Sequence, residues 1–155
     1  MKRFFSSVVF FFFSFTITIP LVFGDSAFPP VDLDIFYQET GSSGNEVEIF
    51  FEITPREDLH LDISCVIPEG VEPELTKELY LRSYRPELPF ENFKERMKYK
   101  NAVTMHAGPV KAGEMMSFSF KVRIDPSREN TFILQAKSVT QSGMQEKLLT
   151  IGGEA

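Results

Sequence analysis

The sequence has no tryptophan, one cysteine and two histidines in 155 residues. A lone cysteine, Cys65, excludes an intramolecular disulfide and with it a stapled miniprotein scaffold. Two histidines are few for a catalytic triad or a zinc centre, and neither Gly-x-Ser-x-Gly nor His-Glu-x-x-His occurs. Without tryptophan, a carbohydrate platform lacks its usual stacking residue. Positive charge is also scarce: 16 Lys and Arg stand against 22 Asp and Glu, a net of −6. An acidic chain with no basic cluster of the nucleic-acid type repels phosphate backbones, so no DNA or RNA partner is expected. Beyond residue 24 there is no long helical pattern, internal repeat or low-complexity tract. What remains is a chain whose 43% apolar content suffices for the core of one ordinary domain, with no catalytic motif.

Phenylalanine is plentiful but unevenly spread. Eight of the 17 lie in the first 23 residues. There Lys2 and Arg3 precede an apolar stretch from Val8 to Phe23, interrupted by Pro20 and followed by Gly24. Charge, apolar core and small residue in that order make a secretory signal, and cleavage is expected after Gly24. Removing 24 residues from 155 leaves 131, and losing Lys2 and Arg3 leaves 14 basic against 22 acidic residues, a net of −8. The alternative is a retained anchor, which would be the chain's membrane contact. The stretch is about sixteen residues long and holds Ser14, Thr16 and Thr18, whereas a spanning helix needs roughly 20 apolar residues. The organisation read from the chain is therefore a signal peptide at 1–24, a short leader at 25–30 and one domain at 31–155. The address is periplasmic or secreted.

Period-two alternation recurs through the mature chain. Val31, Leu33, Ile35 and Tyr37 form one set, and Val47, Ile49, Phe51 and Ile53 the next, although Phe50 breaks the polar face of the second. Leu59, Leu61, Ile63, Cys65 and Ile67 follow, which makes Cys65 a buried thiol rather than a reactive one. Met116, Phe118, Phe120, Val122 and Ile124 give the cleanest strand, then Phe132, Leu134 and Ala136, and last 147–151. Turn-forming residues at 41–45, 55–58, 111–114, 125–127 and 141–144 separate these runs. Strands that bury one face and wet the other pack as two sheets. The fold class is all-β, an antiparallel sandwich of about seven strands with one irregular insertion around 85–101.

That insertion belongs to a longer excursion, 68–101. Residues 78–84 read as a strand with Leu79 and Leu81 inward and Tyr80, Arg82 and Tyr84 outward, after which Pro86 and Pro89 interrupt. Phe90, Phe93 and Met97 share a face if 90–100 is helical. Lys94, Arg96, Lys98 and Lys100 share one if it is extended, and the pattern leaves both open. Residues 82–100 carry six basic side chains against Glu87, Glu91 and Glu95, a local net of +3 in an acidic protein.

The second half resembles a group of bacterial and archaeal immunoglobulin-like surface modules of the fibronectin-type-III-like and CARDB/NEW3 kinds. The residues that carry the resemblance are Ile67-Pro68-Glu69-Gly70-Val71 and Gly108-Pro109-Val110-Lys111-Ala112-Gly113-Glu114. The strands at 118–124, 132–138 and 147–151 complete it. The resemblance implies an immunoglobulin-like sandwich with a non-catalytic, extracytoplasmic binding or spacer role. It brings no catalytic residues and no cofactor.

Function is then expected in binding. Tyr80, Arg82 and Tyr84 on one exposed strand face, joined by Lys94 and Arg96, suit contact with an envelope or extracellular protein. An alternative is a periplasmic copper-binding or carrier protein using His106 with Met105 or Met115, since imidazole and thioether suit copper. His60 and Cys65 do not extend that set, because five positions along a strand put them on opposite faces. A third reading is an accessory carbohydrate-binding module.

Overall fold

The computed structural model describes residues 28–153 apart from 43 and 87–92, so the expected signal segment, 1–24, lies outside the described residues. In chain order the strands are β1 (Val31–Glu39), β2 (Glu46–Pro55), β3 (Leu59–Ile67), β4 (Pro73–Glu74), β5 (Tyr80–Ser83), β6 (Asn101–Val110), β7 (Met116–Arg123), β8 (Asn130–Ser138) and β9 (Met144–Ile151). One helical turn, α1 (Phe93–Arg96), lies between β5 and β6.

The alternation of β2 decides its place. Val47, Ile49, Phe51 and Ile53 are buried while Glu46, Glu48, Phe50 and Glu52 lie toward solvent. β7 alternates in the same phase, and the two pair antiparallel with Ile49 opposite Phe120 and Phe51 opposite Phe118. The Phe51 ring meets Phe118 at 5.6 Å and Phe120 at 6.2 Å between centroids, both tilted. From the other sheet Leu61, Ile63 and Cys65 of β3 and Phe132, Leu134 and Ala136 of β8 close the same core. Full burial of each Phe or Ile here contributes about 1.5–3 kcal/mol. Burial also pushes the Cys65 thiol well above its ordinary range, which makes it unreactive.

The strands form an antiparallel four-stranded sheet, β1-β2-β7-β4, and an antiparallel five-stranded sheet, β5-β6-β3-β8-β9. With β5 and β6 set aside, the remaining seven strands, lettered A to G in chain order, lie as A-B-E-D and C-F-G. That is the strand order of a constant-type immunoglobulin-like sandwich. The inserted part is larger than the expected 85–101. It is a hairpin, β5 and β6 with α1 in its long loop, placed between strands D and E and added to the sheet beside C.

Two strands were not legible. β4 is two residues long. β6 hides because Ala102, Val103, Thr104 and Met105 are buried in succession, which erases the alternation. Its Gly108-Pro109 also imitates a turn. Gly108 sits at φ +66° beside the register shift opposite Leu61 and Asp62, a backbone position that favours glycine. Pro109 is tolerated because β5 pairs only with 101–104, so β6 is the sheet's edge at that point. The connection to β7 is pinned from the opposite sheet: Gly113 donates its N–H to the Pro55 carbonyl at 2.7 Å.

Candidate functional site

On β3 the core takes Leu61, Ile63, Cys65 and Ile67, so Asp62, Ser64 and Val66 face outward. An outward sheet face is ordinarily wet. Here Ser64, Val66, Ala102, Thr104, Ile133 and Gln135 are buried on it. The register explains how they are arranged, since directly opposed residues run in rows across the sheet. One row is Arg82, Ala102, Val66, Ile133 and Leu148, apolar at its centre. The next is polar from edge to edge: Tyr80, Thr104, Ser64, Gln135 and Glu146. A third brings His106, Asp62, Lys137 and Met144 into line.

The described residues of the inserted hairpin's loop, 84–86 and 93–100, lie against this face. At its base Tyr84 donates its N–H to the Lys100 carbonyl at 2.7 Å, extending the β5–β6 pairing by one step. The Tyr84 and Tyr99 side chains then lie on Val66, Ala102 and Ile133, forming a second small core outside the sandwich. Partial burial pushes the Tyr99 phenol up, with the positive charge of Arg96 opposing it. At the far end Arg96 donates Nη1 to Glu146 Oε1 at 3.2 Å and Nη2 to Oε2 at 2.7 Å. Those side chains are 15% and 17% exposed, well sheltered for an ion pair. β5 and β9 are the two edges of the sheet, and five strands span roughly 19 Å at the usual spacing. The described loop residues, 84–86 and 93–100, therefore form a strap fastened at both sides of the sheet.

Beside the strap lies a cleft of about 200 Å³. Arg82, Tyr84 and Arg85 wall it on one side, Asp62, Lys137 and Met144 on the other, and Ser64, Thr104 and Gln135 lie between. The lining carries three positive groups against one carboxylate. Along the floor Ser64 Oγ donates to Gln135 Oε1 at 3.3 Å, and Gln135 Nε2 donates to Glu146 Oε1 at 2.6 Å. Gln135 Nε2 also reaches the Tyr84 hydroxyl at 3.5 Å. The chain of hydrogen bonds stops at Thr104, whose buried Oγ1 has no partner among the described residues.

The residues singled out in the sequence divide between this face and elsewhere. Tyr80, 46% exposed, and Arg82 lie on the edge strand β5 and point outward as expected. Leu81 was expected inward with Leu79. Leu79 is buried, but Leu81 is 47% exposed, because β5 is an edge strand with no neighbour on one flank. Tyr84 is half-buried as a strap anchor, and the Arg96 guanidinium is engaged by Glu146. Neither helix nor strand runs through the whole of 90–100. α1 supplies one turn, and the side chain of Lys94 lies outside those described. Of the residues in the metal alternative, Met105 is in the core at 5% exposure and Met115 is 61% exposed before β7, while the side chain of His106 also lies outside those described. The described residues contain no cluster of three or more His, Cys, Asp or Glu fit to hold a metal. The covered face itself was missed. Its available signal was the set of apolar residues on the wrong parity, Val66 and Ile133 above all.

No protein-family model matches the chain, and no curated protein matches it either. Solved structures do. An uncharacterized protein from Nocardia farcinica, described as having an immunoglobulin-like fold, is 11% identical with a TM-score of 0.41, over 81% of this chain and 83% of the other. A FixG-related protein from Vibrio parahaemolyticus is 8% identical with a TM-score of 0.39, over 81% and 98%. The GAE domain of GGA2p from Saccharomyces cerevisiae is 13% identical with a TM-score of 0.29, over 79% and 87%. At these scores, the strand order described above remains the ground for the fold.

Proposed function

We propose that this chain is an exported, non-catalytic immunoglobulin-like module that binds a protein partner in the cell envelope through its strapped face. The observation that carries the reading is the inserted hairpin. A sandwich whose seven strands close without it carries two further strands and a strap, and these place Tyr80, Arg82 and Arg85 together beside a cationic cleft. On a domain of net −8 without its first 24 residues, such a patch favours an acidic partner surface. Aromatic and guanidinium groups are also the side chains enriched where protein interfaces bind most strongly. The resemblance to fibronectin-type-III-like and CARDB/NEW3-type modules agrees with a binding role outside the cytoplasm, and the charged, apolar, small-residue order at 1–24 supplies the export signal.

Geometry refines which residues to change. Tyr84 holds the strap, so its loss would confound binding with folding. The test is co-purification from the native envelope fraction with the unaltered chain and with a Tyr80→Ala, Arg82→Glu double variant. The expected outcome is a partner recovered with the first and lost with the second. Equal recovery, with the variant folded by circular dichroism, overturns the proposed surface. Mass spectrometry of the chain from that fraction reads export directly, and a mature start at Asp25 is expected.

A further inference from the structure

We infer that the cleft beside the strap is a carboxylate-binding site, the anchor point for an acidic group of the partner. The inference rests on the reading that this face binds a partner, and it adds the chemistry by which it does so. Its first support is the floor. Thr104 is 2% exposed, and its Oγ1 has no hydrogen-bond partner among the described residues. A buried hydroxyl left so costs stability that a valine of the same shape would not. Its row neighbours show that partners are to be had in this row, since Ser64, Gln135 and Glu146 satisfy one another in sequence.

The second support is charge. Arg82 and Arg85 line the same cleft as Thr104, where the cationic side chains outnumber the one carboxylate, Asp62. Planar guanidinium groups match the two oxygens of a carboxylate. Ser64 and Gln135 have spent their donors on the floor chain, so Thr104 supplies one neutral donor and the arginines supply the rest. Guanidinium groups serve phosphate as well as carboxylate, so the choice of a carboxylate rests on the size of the cleft and on the protein nature of the partner proposed above. Size agrees: about 200 Å³ admits a side-chain-sized group and falls below the roughly 300–1,000 Å³ of sites for larger ligands.

The experiment is an NMR titration of the isolated domain with acetate, read at the Thr104 methyl and the Arg82 and Arg85 Nε–Hε signals. Acetamide, chloride and inorganic phosphate are titrated in parallel. Saturable shifts at all three residues with acetate, and none with acetamide, are expected. Thr104→Val should fold at least as stably as the parent and bind acetate about fivefold more weakly. Arg82→Gln should weaken it about tenfold or more. Shifts that grow linearly and equally with acetate and chloride overturn the site, as does unchanged affinity in both variants. Phosphate binding tighter than acetate overturns the class. Acetate binding is read without any partner, so a failed co-purification with intact acetate binding removes the partner reading alone. The reverse result removes the carboxylate site alone.

Discussion

The two outer faces of this sandwich are built from the same antiparallel strands yet behave as opposites. On the four-stranded sheet, polar residues of β2 and β7 alternate outward into solvent, and Glu48 accepts a hydrogen bond from Ser119 at 2.6 Å as a cross-strand neighbour. There Phe36, stacked on Phe50 at 5.3 Å, is left half-open. On the five-stranded sheet the corresponding face is covered, and its central residues are as buried as those of the core. The inserted hairpin accounts for the difference. A sheet face becomes interior when a loop anchored at both edges lies across it, and the residues beneath are then held to core rules of packing and polar satisfaction.

The sharpest way to break this comparison is a matched pair of truncations. Ile133→Ala, beneath the strap, should cost about 2–5 kcal/mol, as for a buried aliphatic residue. Phe50→Ala, on the open face, should lose the stacking contact and cost about 1 kcal/mol beyond its partial burial. Urea unfolding midpoints check both, and equal costs would show the strap to be a loose cover. A smaller effect is expected from Arg96→Ala, which removes the far fastening. Two hydrogen bonds to a sheltered carboxylate are lost, a destabilisation of about 1.5–3 kcal/mol. Amide hydrogen exchange at Tyr84 and Tyr99 should accelerate while exchange in β2 and β7 stays unchanged.

The smallest effect belongs to the four-stranded side and is one of pH. Hydrogen bonds from Arg56 hold the Asp32 carboxyl below its ordinary value, and Lys147 does the same for Asp34. A lowered folded value means that these groups favour the folded state fully above about pH 4 and lose that contribution as pH falls through the lowered values. Carbon-detected carboxyl titrations should place both below the ordinary 3.8. Arg56→Gln should return Asp32 toward that value and leave Asp34 in place.

How much was legible follows from the same contrast. β2 and β7 could be read because one face of each is dry and the other wet, which is what period-two alternation records. β3 and β8 could be placed by their core residues, but Val66 and Ile133 lay on the parity assigned to solvent. β6 disappeared because both of its faces are covered. The binding candidates fared by the same rule. Tyr80 and Arg82, on an open edge, point where alternation puts them, whereas Tyr84 and Arg96, expected at a partner interface, are engaged within the chain. Nothing local could pair Arg96 with Glu146, since they are 50 positions apart. Nor could it bring Thr104 and Arg85 to one cleft.

The pairing of β2 with β7 has a consequence for how the chain reaches this state. Glu46 meets Arg123 across 77 positions. β2 is synthesised with its first neighbour β1 already present, but its second arrives only after most of the domain has been made. Such distant closures make folding slow, and through that interval one edge of β2 is open to any other extended chain. Glu46, Glu48 and Glu52 line the outer face of that strand with like charge, so two waiting copies paired side by side repel each other. The acidity of this strand thus acts before the native fold exists, as protection against the wrong sheet.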